Sequence, residues 1–394
     1  TFGEIEEITK TSPYSYETED EILMADNTAD VKPHISYDET ANKMLMFYTK
    51  TEYESTADDE EGLVGDIAKP YSVMAYRVYD FDSGEWVSTY DAGEGLDSNY
   101  EKAWYGQRFL NLAPLAVVEE ELDGSGFWTK EPEIKAFEKA KYQGSDGQIY
   151  EQEPIVMESE STTYNELALY AYVLVYDGDQ ETATDRDIFL QIYDYRTNTF
   201  THPIMVTTTP DLAESKVKFV RAGDTTLLTY LADNTLYAFN LSYIVQNRLL
   251  QSEVNGQKFY YIDKSRPESE VAEDEHVYMP PVIVAGNMVV DEEEESGSSI
   301  VDYGVASTNQ FVYAVWTQRA TKVKEGIDPT CEEALDASNR VAESQIYLAR
   351  YDTMEGVITE PVQVKKEEGA NYGAIGFAVE EGETGRLKLL ATKA

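Results

Sequence analysis

The chain has 394 residues, with 31 Lys and Arg against 75 Asp and Glu and a formal net charge of −44. A surface that negative repels phosphate backbones and anionic lipid, which excludes general nucleic-acid binding and membrane-surface association. No apolar run approaches the roughly 18 residues of a membrane span, and a single cysteine, Cys331, excludes an intrachain disulfide and a cysteine zinc site.

In chain order, Gly3-Glu4-Ile5 with Ile8-Thr9-Lys10 reads as a lone strand. Alternating strands follow, marked by a period of two. Pro33-His34-Ile35-Ser36 precedes Met44–Tyr48, and Val73–Val78 comes next. Leu112–Glu120 and the stretch to Phe127 are weaker strand candidates. Pro154–Met157, Leu167–Tyr172 and Ile188–Ile192 form a clear set. Val217–Val220, Thr226–Tyr230 and Leu236–Asn240 form another. Pro281–Val284, Phe311–Trp316 and Ile346–Arg350 form a fourth, and Tyr372–Val379 with Leu387–Thr392 close the chain. Helix is scarce: Asp328-Pro329 carries a start signal ahead of Cys331 and Leu335, and Tyr243–Glu253 reads as a short helix.

A phrase ties the sets together: Tyr, four residues, Gly or Asn, one residue, then a large apolar residue. It occurs as Tyr79…Gly84…Trp86, Tyr142…Gly147…Ile149, Tyr193…Asn198…Phe200 and Tyr351…Gly356…Ile358. A hairpin signature recurring at tens of residues is the mark of a radially repeated sheet. The expected fold is all-β, a single β-propeller over 1–394 with short helical insertions. Its four-stranded antiparallel blades, with strands a to d, fall at about 30–91, 104–152, 153–210, 212–265 and 276–366. A closing blade comes from 370–394 plus the N-terminal strand 1–10. Six blades result, with seven as the alternative.

The segment Asp80-Phe81-Asp82-Ser83-Gly84-Glu85-Trp86 resembles the Asp-box turn of sialidases and related propellers. The family pattern is Ser or Thr, x, Asp, x, Gly, x, x, Trp; here Trp86 comes one residue early and no Ser or Thr stands two before Asp82. The resemblance covers the turn and the four-strand repeat and implies a structural role for the turn. A sialidase would add an arginine cluster, a Tyr nucleophile supported by Glu, and an Asp acid/base, for which no motif is present. More loosely, the chain is similar to propeller regions of large bacterial exported proteins.

Enlarged connections at 51–70, 176–187 and 318–344, with the d–a stretch 91–108, are expected to gather on one face, where binding usually resides. The acidic stretch Asp291–Gly297 is expected opposite, within an a–b turn. The histidines, His34, His202 and His276, read as ordinary strand or loop residues, and no nucleophile motif surrounds them. The leading expectation is a non-catalytic binding module for a protein or carbohydrate ligand. It would be exported to the bacterial surface as part of a larger multidomain protein. Its contact residues would be Trp104, Tyr105, Asp58, Asp59, Asp177 and Asp179, aromatic anchors with acids beside them. The alternatives are a carboxylate-dependent glycoside hydrolase and a spacer without a ligand. No cofactor is required; calcium is an option at Asp80 and Asp82 or at Asp177 and Asp179, whose oxygens alternate as in hard-cation loops.

Overall fold

The structure is a computed structural model describing residues 28–55, 67–86, 108–109, 116–124, 126–136, 140–143, 149–152, 155–175, 186–208, 213–254, 256–266, 282–285, 299–324, 326–327, 339–368, 372–380 and 386–393. It is nearly all β, built of antiparallel sheets with one short helix among the described residues. The described residues group into two compact units. The first comprises Thr1–Glu119, Pro132–Asp211 and Gln251–Tyr261; the second comprises Glu120–Glu131, Leu212–Leu250 and Ile262–Ala394.

The first unit opens with β1 (Thr28–Asp38), β2 (Lys43–Ser55), β3 (Ile67–Asp80) and β4 (Glu85–Trp86) in sequential order, with β5 (Arg108–Phe109) also paired to β3. Strand pairing of β2 with β3 continues out to Ser55 opposite Ile67. Residues 51–55 and 67–70 of the expected loop are therefore strand. The next stretch departs from expectation. Among the described residues of 104–152 there are two separate pairs, β6 (Ala116–Glu119) with β7 (Glu133–Ala136) and β8 (Ala140–Gln143) with β9 (Ile149–Gln152), where one four-stranded sheet is expected. The Tyr142 copy of the phrase pairs Tyr142 with Tyr150, one residue out of step with the others.

The second large sheet of this unit is β10 (Ile155–Tyr164), β11 (Leu167–Val175), β12 (Asp187–Asp194) and β13 (Thr199–Phe200), with β14 (Ile204–Met205) also on β12. The two large sheets pack through their faces. Leu45, Phe47, Tyr76 and Val78 meet Val156, Tyr170, Tyr172, Phe189, Tyr193 and Met205 in one buried cluster. Phe47 stacks on Tyr170 at 4.2 Å between ring centres. Period-two alternation drives this. The inward residues of each strand are large and apolar, and burying a side chain of this size contributes about 1.5–3 kcal/mol. At the rim of the packing, β1 lies against β10: Ser36 donates to Ser161 Oγ at 3.0 Å, and Thr163 Oγ1 donates to the Tyr37 carbonyl at 2.9 Å.

The second unit carries β15 (Ser215–Ala222), β16 (Thr225–Ala232) and β17 (Thr235–Asn240). Asn240 caps the helix α1 (Leu241–Asn247), its Oδ1 accepting the Tyr243 N–H at 3.2 Å. The helix stops there, and β18 (Leu249–Val254) pairs with β19 (Gln257–Ile262), so Tyr243–Glu253 is not one helix. The fourth strand beside β17 is β20 (Val282–Ala285). This segment was expected to open the following sheet. That sheet instead opens at β21 (Ser299–Ser307), followed by β22 (Phe311–Val323), β23 (Arg340–Asp352), β24 (Val357–Ile358) and β25 (Val362–Glu368). The stretch Asp291–Gly297, expected within an a–b turn, lies outside the described residues. The pair β26 (Tyr372–Glu380) and β27 (Arg386–Lys393) packs on the β21–β25 sheet through Ile375 and Phe377 against Val315, Ile346 and Leu348. The expected helix after Asp328 and the strand 1–10 lie outside the described residues.

Three of the sheets repeat one design down to single hydrogen bonds. Asp80, Asp194 and Asp352 pair with Lys43, Leu167 and Phe311 on one side and with Glu85, Thr199 and Val357 on the other. Each Asp carbonyl accepts the N–H of the residue four on, Gly84, Asn198 or Gly356, at 2.8–2.9 Å. That residue is left-handed in each case, with φ of 71°, 55° and 67°, which is why Gly or Asn stands there. The N–H of Phe81, Tyr195 and Thr353 donates to the carbonyls of Asn42, Glu166 and Gln310, lacing each c–d turn to the a–b turn beside it.

Candidate functional site

The Asp80 turn shows what the acidic phrase does locally. Asp80 Oδ1 accepts the N–H groups of Asp82 and Ser83 at 2.9 and 3.3 Å, and Asp82 Oδ1 accepts from Asn42 Nδ2 at 2.6 Å. Asp194 and Asp352 receive their turn N–H groups in the same way. The shared geometry is an Asx turn, which suffices to select Asp at this position. Among the described residues no group of three or more His, Cys, Asp or Glu side chains is arranged to hold a metal ion. Asp58, Asp59, Trp104, Tyr105, Asp177 and Asp179 lie outside the described residues.

Strand d is where the sheets diverge. Its first piece ends after two residues, and a second piece then pairs further along strand c. Leu190 pairs with Ile204 and Phe189 with Met205; Leu348 pairs with Val362 and Tyr347 with Gln363. The linkers are Thr201-His202-Pro203 and Thr359-Glu360-Pro361, each a Thr-x-Pro. Thr201 and Thr359 N–H donate to the Ile192 and Arg350 carbonyls, and their hydroxyls accept the N–H groups of those same residues at 3.0 Å. Proline is tolerated at such a break because it has no N–H to leave unpaired. In the β1–β5 sheet the matching pairs are Tyr76 with Arg108 and Ala75 with Phe109. Residues 87–107 thus replace a three-residue linker. Trp104 and Tyr105 fall in the sequence between these two pieces of strand d, outside the described residues.

A second feature is polar. The first strand of each large sheet has a bulge near its start: between Val31 and His34, Val156 and Glu158, Ser215 and Lys218, and Ile300 and Asp302. Bulges re-aim side chains and are over-represented beside functional sites. In the first unit, His34 Nε2 lies 3.1 Å from Ser159 Oγ, and His34 Nδ1 lies 3.5 Å from Glu160 Oε1. The buried Tyr170 phenol hydrogen-bonds to Ser159. Burial pushes the Tyr170 hydroxyl well above the usual phenol range, with the Glu160 charge adding to the effect. His34 was expected to be an ordinary strand residue, and the sequence offers no spacing that would have joined it to Ser159.

In the second unit the bulges bring Lys216 to Asp302. Lys216 Nζ donates to Asp302 Oδ1 at 2.9 Å, and the Ile375 N–H donates to Oδ2 at 3.0 Å. Lys216 has φ of 54°, a left-handed conformation uncommon for a lysine. Partial burial pushes the Asp302 carboxyl up, but Lys216 and the Ile375 N–H outweigh it and hold the carboxyl below the usual range. Lys218 donates to the Tyr303 carbonyl, and the Tyr303 hydroxyl donates to the Lys216 carbonyl.

No protein-family model and no curated protein matches the chain. Among solved structures it is similar to an N-acetylgalactosamine deacetylase from F. plautii in complex with blood group B trisaccharide, at 10% identity over 84% of this chain and 74% of that one, with a TM-score of 0.26. It is similar to a neuraminidase-like protein of a flat-faced bat isolate from Peru at 12% identity, over 93% and 87%, with a TM-score of 0.25. It is also similar to the hemagglutinin-neuraminidase of parainfluenza virus 5 at 7% identity, over 93% and 86%, with a TM-score of 0.25. Likeness of this degree decides neither fold nor activity. Among the described residues no helix is long and apolar enough to cross a membrane.

Proposed function

We propose that the repeated sheets are blades of a β-propeller belonging to an exported, surface-displayed protein, and that the chain binds a carbohydrate or protein ligand through segments inserted into that scaffold. The observation that supports this most is the strand d insertion. Two sheets cross the break with Thr-x-Pro, whereas residues 87–107 occupy the same place in the β1–β5 sheet. An insertion that large between paired anchors is not needed to complete the ladder, and function commonly resides in such additions to a rigid frame. The insertion carries Trp104 and Tyr105; the b–c connections 56–66 and 176–185 carry Asp58, Asp59, Asp177 and Asp179. We assign these six as the contact residues. Calcium at Asp177 and Asp179 remains part of the proposal as a support for that connection.

The glycosidase reading draws no support from the described carboxylates. Those displaced from the usual range, Asp194, Asp302 and Asp352, are all displaced downward. A general acid of a glycosidase needs a carboxyl displaced upward.

The test is to replace residues 87–107 with Thr-Glu-Pro, copied from the β24–β25 linker, and to compare glycan-array and pull-down binding with the parent chain. Loss of binding with the thermal transition retained supports the assignment. Ligand binding undiminished by the replacement removes it.

A further inference from the structure

We propose that Ser159 is a nucleophile activated by His34, and that the seam between β1 and β10 hydrolyses short acyl esters. This is an activity beyond ligand binding and does not depend on it. The argument begins with the direction of the hydrogen bonds. A carboxylate only accepts, so Glu160 Oε1, 3.5 Å from Nδ1, favours the tautomer of His34 with its proton on Nδ1. The lone pair then lies on Nε2, and the Ser159 hydroxyl donates to it across 3.1 Å. The Ser161 N–H holds Glu160 Oε1 at 3.3 Å. The result is a nucleophile beside a base whose other ring nitrogen faces a carboxylate.

Comparison along the same seam separates this arrangement from simple strand adhesion. Ser36 and Ser161 meet at the same sequence offset as His34 and Ser159, and Thr163 reaches the Tyr37 carbonyl. Those contacts are hydroxyl to hydroxyl and hydroxyl to carbonyl; they have no base and suffice to hold β1 on β10. The imidazole appears only where the bulges in both strands re-aim the side chains, after Val31 in β1 and after Val156 in β10. His34 keeps 19% and Glu160 38% of the side-chain surface open to solvent, and Ser159 is half-buried. Ser159 Oγ attacks the acyl carbon as its proton passes to His34 Nε2. The C–O bond to the alcohol breaks, and the alcohol leaves with that proton. Water, deprotonated by His34, then cleaves the acyl-serine to the acid and restores Ser159. Ester and water thus yield acid and alcohol, with no other reactant.

The probes are a fluorophosphonate, with the adduct mapped by mass spectrometry, and p-nitrophenyl acetate. The expected result is one adduct on Ser159. Ser159→Ala abolishes it, and His34→Gln slows it by on the order of a hundredfold or more, the contribution of a positioned general base. Thr163→Val, further along the seam, labels at the parent rate. Glu160 is a positioning residue: Glu160→Gln lowers kcat for p-nitrophenyl acetate at unchanged KM. Circular dichroism melts accompany each variant, so a folding failure is read separately. If Ser159→Ala does not fold, the His34→Gln rate and the mapped adduct on the parent chain decide the question. No adduct on Ser159 in the folded parent, or equal labelling rates in folded parent and His34→Gln, overturns the proposal.

Discussion

Tyr76 pairs with Arg108 at the register place where Leu190 pairs with Ile204 and Leu348 with Val362. Strand d of the β1–β5 sheet is therefore complete without residues 87–107. Closing a long loop costs entropy that grows as about 0.6 kcal/mol per doubling. Replacing 87–107 with Thr-Glu-Pro should keep the fold and raise stability by about 1–2 kcal/mol, read from urea unfolding. A chain that no longer folds would mean the insertion is part of the core.

The two Thr-x-Pro linkers make a graded prediction. Thr201 and Thr359 each accept a strand c N–H through the hydroxyl, but the Thr201 bond is partly buried and the Thr359 bond exposed. Thr201→Val leaves the Ile192 N–H without its partner away from water and should cost about 1–3 kcal/mol. At Thr359→Val, water takes over from the hydroxyl and the loss should stay below about 1 kcal/mol. Equal losses in chemical denaturation would contradict the assignment.

Two glycines should respond differently to the same change. Gly84 has φ of 71° and open space where a Cβ would stand; Gly223 has φ of 58° and the Asn309 carbonyl 2.6 Å from that point. Gly84→Ala pays the left-handed penalty alone, about 1–2 kcal/mol. Gly223→Ala adds a backbone clash between the β15–β16 turn and Asn309, so its thermal transition should fall further, by several degrees beyond the Gly84 variant.

Asp302 sets an acid-side dependence in the second unit. Its carboxyl lies below the ordinary value of 3.8 in the folded chain. The ion pair with Lys216 therefore stabilises the fold fully above that value, and the contribution is lost as pH falls through the lower folded pKa. Asp302→Asn should be less stable than the parent at pH 6, with the gap closing as pH falls from 4 toward 2. A gap that widens on acidification would refute the linkage.

The design of the turn was legible from residues alone. Tyr, Asp, and Gly or Asn at fixed spacing encode a left-handed position and an Asx turn, both local matters, and the structure places all three at one register in three sheets. The sequence also carries Thr-x-Pro at both strand d breaks, a local signal whose meaning depends on what strand c offers opposite. Assigning Val282–Ala285 to the wrong sheet had a similar cause. A short apolar run states that it is a strand, not which edge it joins. The His34–Ser159 contact was out of reach for a stronger reason, since its two sides lie on separate sheets.

What the chain settled by itself was therefore whatever a few neighbouring residues can enforce: strand alternation, turn handedness, and a charge that turns away polyanions. The tertiary structure decided which strand closes each sheet, that Trp86 and Arg108 both pair with β3, and which polar side chains share the β1–β10 seam. The physical reason is that backbone dihedrals and alternation are set within a few residues. Edge pairing and face packing are instead set by competition among many similar apolar strands, resolved only when the sheets bury one another.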